Sequence, residues 1–153
     1  MAGPRVLITR PEPLAGELAD LLESCGASVT QSPFLKIEPV STPRPVIDGA
    51  VVVALTSRMT FPHVAAHVGP DDPLLSFPCY CVGDKTAQEA RCYGWSRIHT
   101  GPGQGIGLAH VLIEQEPEKP VVLHIGAQDT DGDMAMILSR AGFNYVRWSV
   151  YRA

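Results

Sequence analysis

What the sequence has little of narrows the field first. No apolar run reaches the roughly 18 residues that a membrane-spanning helix needs, and the N-terminus has no basic segment leading into an apolar one. Neither a membrane span nor a signal peptide is expected, and the chain reads as cytoplasmic. Cysteine is scarce, four in 153 residues. Cys25, Cys79, Cys81 and Cys92 are too irregularly spaced for a disulfide framework, and Cys79 to Cys81 is a C-x-C, not the C-x-x-C of a zinc site. They read as small buried side chains in a reducing compartment. Basic residues are also short, 12 Lys and Arg against 16 Asp and Glu for a net charge of −4. That balance leaves no electrostatic footprint for nucleic acid, so an anionic ligand would have to be held by local features.

What is there is ordinary for a globular core, 45% hydrophobic and 18% charged residues, and it contains a repeat. Shifting the N-terminal residues by 116 positions, without a gap, lays Val6 and Leu7 on Val122 and Leu123, and Leu18 on Met134. The same shift lays Leu21 and Leu22 on Ile137 and Leu138, and Gly26 on Gly142. Each copy reads as a strand, a turn, an amphipathic helix closed by glycine, and a second strand. Between the copies, Ala50 to Leu55 is a continuous apolar run typical of a strand buried on both faces of a parallel sheet. A helix is expected from Thr56-Ser57-Arg58 to about Val68, and strands at Cys79 to Val82, Arg97 to His99 and Pro120 to Ile125. Further helices are expected after the break at Gly83 to Ala87, ending at Gly94, and over Leu108 to Gln115. Ser41 to Pro45, with two prolines, reads as a linker or crossover. Strands alternating with helices predict an α/β fold, a parallel sheet flanked by helices.

In such folds the strand-to-helix turns share one edge of the sheet, the edge where ligands bind. Here that edge offers Thr9 and Arg10, Thr56 to Arg58, Gly83 to Thr86, Gly101 to Gly107 and Gly126 to Gly132. These turns open helices with Gly, Ser or Thr, leaving backbone N–H groups and hydroxyls free to meet an anion. The candidate ligand contacts are therefore Arg10, Thr56, Ser57, Arg58, Gly83, Lys85, Thr86, Gly105, Gly107 and Gly126. Five of them have a plainer reading: capping for Thr86 and Ser57, and a solvated charge for Arg10, Arg58 and Lys85. Gly101 to Gly107 contains neither G-x-G-x-x-G nor a Walker G-K-S/T, which argues against a nucleotide. Asp129-x-Asp131-Gly132-Asp133 has Arg140 where a calcium loop needs a bidentate Glu. His63 and His67 share a helical face without a third ligand and read as a surface pair, and His99, His110 and His124 form no pattern with them. No metal and no cofactor are expected.

The motifs V-L-I-T-R-P at Val6 to Pro11, I-E-P at Ile37 to Pro39, L-T-S-R at Leu55 to Arg58, V-G-D-K-T-A at Val82 to Ala87 and V-Y-R at Val150 to Arg152 occur in the order and spacing of a known family. In these the chain resembles uroporphyrinogen-III synthase, the cyclising enzyme of tetrapyrrole biosynthesis. The resemblance implies two flavodoxin-like α/β lobes, the first built from both ends of the chain. Residues 1–36 would be an incomplete β-α-β part of lobe 1, residues 40–148 a complete lobe 2, and residues 149–153 the start of the returning connector. It further implies a lyase that converts hydroxymethylbilane, a small-molecule substrate, to uroporphyrinogen III. Water is lost and ring D inverted, with no cofactor, no nucleic acid and no membrane. By its V-Y-R setting, Tyr151 matches the connector tyrosine favoured as proton donor to the leaving hydroxide, the catalytic residue.

On this reading the chain is a C-terminally truncated form with little turnover alone, since both lobes are needed to curl the substrate. The family implies a monomer, while the unpaired edge of the incomplete lobe would either fold back or associate between chains. Two rivals stand beside it. One is a non-catalytic α/β module that binds an anionic tetrapyrrole or a partner protein. The other is a flavodoxin-like nucleotide or flavin binder.

Overall fold

The computed structural model describes residues 3–130 and 132–153. It divides into two units, residues 1–38 with Ala153, and residues 39–152.

The first unit is the opening β-α-β motif. β1 (Arg5–Ile8) and β2 (Ser28–Gln31) pair in parallel, joined by α1 (Leu14–Ser24). The turn before α1 is held by the Glu12 carboxylate, which accepts the Gly16 N–H at 3.2 Å. Ile8, Ala15 and Ala19 form a small core with Val6, Leu18, Leu22 and Val29 around it. Leu7, Leu21, Phe34 and Leu35 are exposed. Phe34 to Pro39 contributes only the short β3 (Glu38–Pro39).

The second unit is built on β4 (Val51–Leu55), all five residues of which are buried. Val-Val-Val-Ala-Leu has no polar face to offer water, so the strand lies inside the sheet with layers on both sides. The sheet order is β3-β8-β7-β4-β5-β6, where β5 is Cys79–Cys81, β6 Ile98–Thr100, β7 Val121–Ala127 and β8 Tyr145–Arg152. From β4 to β8, and from β4 to β6, all pairings are parallel. The chain moves outward from β4 to β5 and β6, then returns across β4 to lay down β7 and β8. The first long strand of the unit is thus central, whereas a flavodoxin lobe puts its third strand there. The α/β class is as expected; the order of the strands is decided by the return crossover.

Helices cover both faces. α2 (Thr60–Val64) packs on β7 and β8 and touches α3 (Asp84–Tyr93), which lies on β5 and β6. α4 (Gly105–Gln115) and α5 (Asp133–Arg140) pack on each other, over β5 and β8 respectively. Beneath α4 and α5 lies a core of Val52, Ala54, Tyr80, Leu108, Leu112, Val122, Met134, Leu138 and Phe143. α2 is much shorter than expected from Thr56 to Val68: it starts at Thr60, and a turn replaces the helix after Val64. α4 is longer than expected: the glycine-rich stretch enters the helix at Gly105. Residues 149–152, expected to begin the returning connector, are part of β8, with a register shift where Gly126 pairs with Ser149 and Ala127 with Tyr151.

The 116-residue repeat persists in the geometry. Val6 pairs with Val29 as Val122 pairs with Tyr145, and Ile8 with Gln31 as His124 with Arg147, so the shift preserves strand register. Both helices end at a left-handed glycine, Gly26 at φ 85° and Gly142 at φ 87°. At these positions glycine avoids the Cβ penalty that other residues would meet.

Candidate functional site

Period-two alternation puts Val52, Ala54 and Thr56 on one face of β4, Val122 and His124 on the same face of β7, and Tyr145 and Arg147 on that of β8. Ala54 faces His124 and His124 faces Arg147 in the strand register. β4 and β7 are the two strands where the chain reverses its direction of winding, so this row ends in the crevice where open α/β sheets bind ligands. There the side chains line a cavity of about 280 Å³. Its walls include Thr56, His124, Tyr145 and Arg147 from the sheet, Gly105 from the start of α4 and Asp133 from the start of α5.

These groups are connected. His124 Nε2 lies 2.9 Å from Thr56 Oγ1, and His124 Nδ1 forms a short hydrogen bond with the Tyr145 hydroxyl. The Arg147 guanidinium donates to the Tyr145 hydroxyl at 3.1 Å and to the Gln128 carbonyl at 3.3 Å. His124 is only 3% exposed. Burial, with a smaller contribution from the neighbouring Arg147 charge, pushes its pKa down to about 4, so the ring is neutral near pH 7. Burial raises the Tyr145 pKa while the Arg147 hydrogen bond and charge oppose the rise. The arrangement can therefore present neutral hydroxyls and one cation to an oxygen-rich anion, beside the free N–H groups that open α4.

The profile of the uroporphyrinogen-III synthase HemD family matches residues 16–153. The chain belongs to this family. Its fold is similar to that of a mutant uroporphyrinogen III synthase from Thermus thermophilus, with a TM-score of 0.63 at 17% identity, covering 98% of this chain and 62% of that one. A wild-type crystal form of the Thermus thermophilus enzyme gives a TM-score of 0.52 at the same identity and coverage. The chain thus spans 62% of the length of these relatives. No curated protein sequence matches it.

Within the family frame, the expected contacts separate. Thr56 and Gly105 reach the cavity. Gly126 sits in β7 beside it, where an added Cβ would lie 3.4 Å from His124 Nε2. Ser57 accepts the Met59 N–H at 3.1 Å, a local cap. Arg58 is half-buried with Glu89 Oε1 at 4.0 Å. Gly83 caps α3 in an extended conformation, with its Cβ position 3.4 Å from Gly103. Lys85 is exposed in the first turn of α3, and Thr86 is buried in the same helix. Gly107 lies inside α4, where a side chain would collide with the Pro102 ring. Arg10 is exposed at the end of β1 in the first unit.

Tyr151 is 6% exposed, and its ring stacks on His63 at 5.2 Å. His67 meets Trp148 edge-on at 5.6 Å. Of the histidine pair expected at the surface, His67 is exposed in the turn after α2, whereas His63, in α2, is half-buried against β8. Of the four cysteines, Cys79 and Cys81 are buried as expected, with Sγ atoms 3.7 Å apart, but Cys25 and Cys92 are exposed. Asp131, the second acid of the calcium-like run, lies outside the described residues. Among the described residues, no group of three or more His, Cys, Asp or Glu side chains is placed to hold a metal. No helix among them is long and apolar enough to cross a membrane.

His124, Tyr145 and Arg147 are cavity residues that sequence reasoning missed. A signal existed: a histidine in the middle of V-V-L-H-I-G-A interrupts an otherwise apolar buried strand, and a buried polar group demands partners.

Proposed function

We propose that this chain carries the ring-closing chemistry of its family: cyclisation of hydroxymethylbilane to uroporphyrinogen III, with inversion of ring D and loss of water. The observation that carries the reading is the family match over residues 16–153. The site chemistry agrees with it. A linear tetrapyrrole bearing eight carboxylates calls for dispersed donors, and the crevice edge offers helix N-termini, hydroxyls and Arg147 in place of a dense basic patch. Holding such a chain curled brings its ends together, and proximity supplies much of the rate. Tyr151 is the candidate proton donor to the departing hydroxide, on the strength of its V-Y-R setting. Thr56, Ser57, Arg58, Gly83, Lys85, Thr86, Gly105, Gly107 and Gly126, with Arg10 from the first unit, are the proposed substrate contacts. The reaction on this reading needs no cofactor.

The test is a coupled assay in which purified protein meets freshly generated hydroxymethylbilane and the type III product is separated from the spontaneous type I product. Weak type III formation above background, abolished by Tyr151→Phe, is the expected result for a general acid. Type I alone, with measurable affinity for the tetrapyrrole, would instead favour a non-catalytic binding module.

A further inference from the structure

The four side chains Thr56, His124, Tyr145 and Arg147 form a continuous hydrogen-bonded row, and the row has a direction. A guanidinium carries only donors, so the Tyr145 oxygen must accept from Arg147. The proton of that hydroxyl then needs an acceptor, and His124 Nδ1 is the ring nitrogen in contact with it. With Nδ1 accepting, the neutral ring carries its proton on Nε2 and donates to Thr56 Oγ1, 2.9 Å away. Thr56 Oγ1, having accepted, has its own proton left to give, and Thr56 lines the cavity.

We propose that Arg147, Tyr145, His124 and Thr56 constitute a one-way hydrogen-bond relay that sets the Thr56 hydroxyl as a donor into the cavity, aimed at a carboxylate oxygen of the ligand. His124 and Tyr145 are positioning residues in it: they act through Thr56. The carboxylate assignment rests on the function proposed above, whereas the direction of the relay rests on the hydrogen-bond row alone.

The surroundings support a neutral ring. Among the described residues, the charged groups lining the cavity are Arg147 from β8 and Asp133 from the start of α5, while Gln104, just before α4, is uncharged. Protonating His124 would place a second cation beside Arg147 and turn Nδ1 into a donor, so that the Tyr145 hydroxyl would lose the acceptor for its proton. Burial and the Arg147 charge both oppose that protonation. Gly126 completes the arrangement, since it brings no side chain against His124 Nε2 and Thr60 Oγ1.

The direction is read from long-range proton–nitrogen NMR spectra of the nitrogen-15-labelled chain near pH 7. The expected spectrum shows the His124 ring neutral and protonated on Nε2, and Tyr145→Phe shifts the ring toward a mixture of tautomers. A ring protonated on Nδ1, a cationic ring, or a tautomer untouched by Tyr145→Phe would overturn the relay. A residue with a merely structural role would not change its tautomer when a neighbouring hydroxyl is removed.

The ligand arm uses uroporphyrinogen III, kept anaerobic, as probe. Thr56→Ser is expected to bind it within about twofold of the unaltered chain, and Thr56→Val about tenfold more weakly, the scale of a lost hydrogen bond to a charged group. Equal affinity in all three would remove the carboxylate assignment. Absence of binding to the unaltered chain would overturn that assignment together with the proposed function, leaving the relay to be judged by the spectrum.

Discussion

His124 sits at the junction of stability and chemistry. Its folded pKa, about 4, is below the ordinary value of 6.5. The unfolded chain therefore takes up a proton that the folded chain refuses, and the stability difference is fully present above pH 6.5 and is lost as the pH falls toward 4. The slope approaches about 1.4 kcal/mol per pH unit inside that window and amounts to roughly 3 kcal/mol across it. His63, whose pKa burial also lowers, adds in the same direction. Chemical denaturation at a series of pH values should show this slope, and His124→Gln should flatten it. A variant with an unchanged slope would mean that other groups carry the acid sensitivity. The same desolvation that makes the ring acid-sensitive keeps it neutral for the relay.

At the scale of elements, the helix-ending glycines are the clearest test of the duplicated β-α-β design. Gly142 follows α5 at φ 87°, and its N–H donates to the Ser139 carbonyl at 3.0 Å; Gly26 follows α1 at φ 85° and donates to Glu23 at 2.9 Å. Ala27 and Phe143, one residue further on, donate to the equivalent leucines, Leu22 and Leu138. Gly142→Ala should cost about 1 to 2 kcal/mol, the penalty for placing a Cβ in the left-handed region. Gly69→Ala, at an open position without positive φ, should stay within about 0.5 kcal/mol. Urea midpoints compare the two, and equal costs would show that the left-handed turn after α5 does not limit stability.

At the scale of the whole molecule, the two units differ in what each buries. Residues 39–152 carry the cores on both faces of the sheet, with Trp148, Tyr80 and Leu138 among the fully buried side chains. Among its described residues the opening unit has three buried apolar side chains and a two-stranded parallel sheet, a combination with little independent stability. Hydrogen exchange should accordingly find amides of β4 and β7 protected close to the global unfolding free energy, and those of β1 and β2 opening at a much smaller one. Equal protection in the two sheets would mean that the opening unit gains its stability from outside its own core.

Local pattern determined the elements. The valine run of β4, the glycines after α1 and α5 and the gapless repeat could be read in one dimension, because strand burial, helix termination and register depend on residues near in sequence. The motif order across the chain likewise pointed to the family. Tertiary structure alone decided the strand order, since nothing in a crossover's own residues states which side of β4 the next strand will occupy. It shortened α2, whose expected end at Val68 ignored how few residues the turn after Val64 allows. It also assembled the relay: Thr56 and His124 are separated by 68 positions, and only the parallel pairing of β4 with β7 brings them within hydrogen-bonding distance. A buried histidine's partners, tautomer and charge are set by groups distant along the chain, so the sequence could mark His124 as anomalous but could not say what it holds.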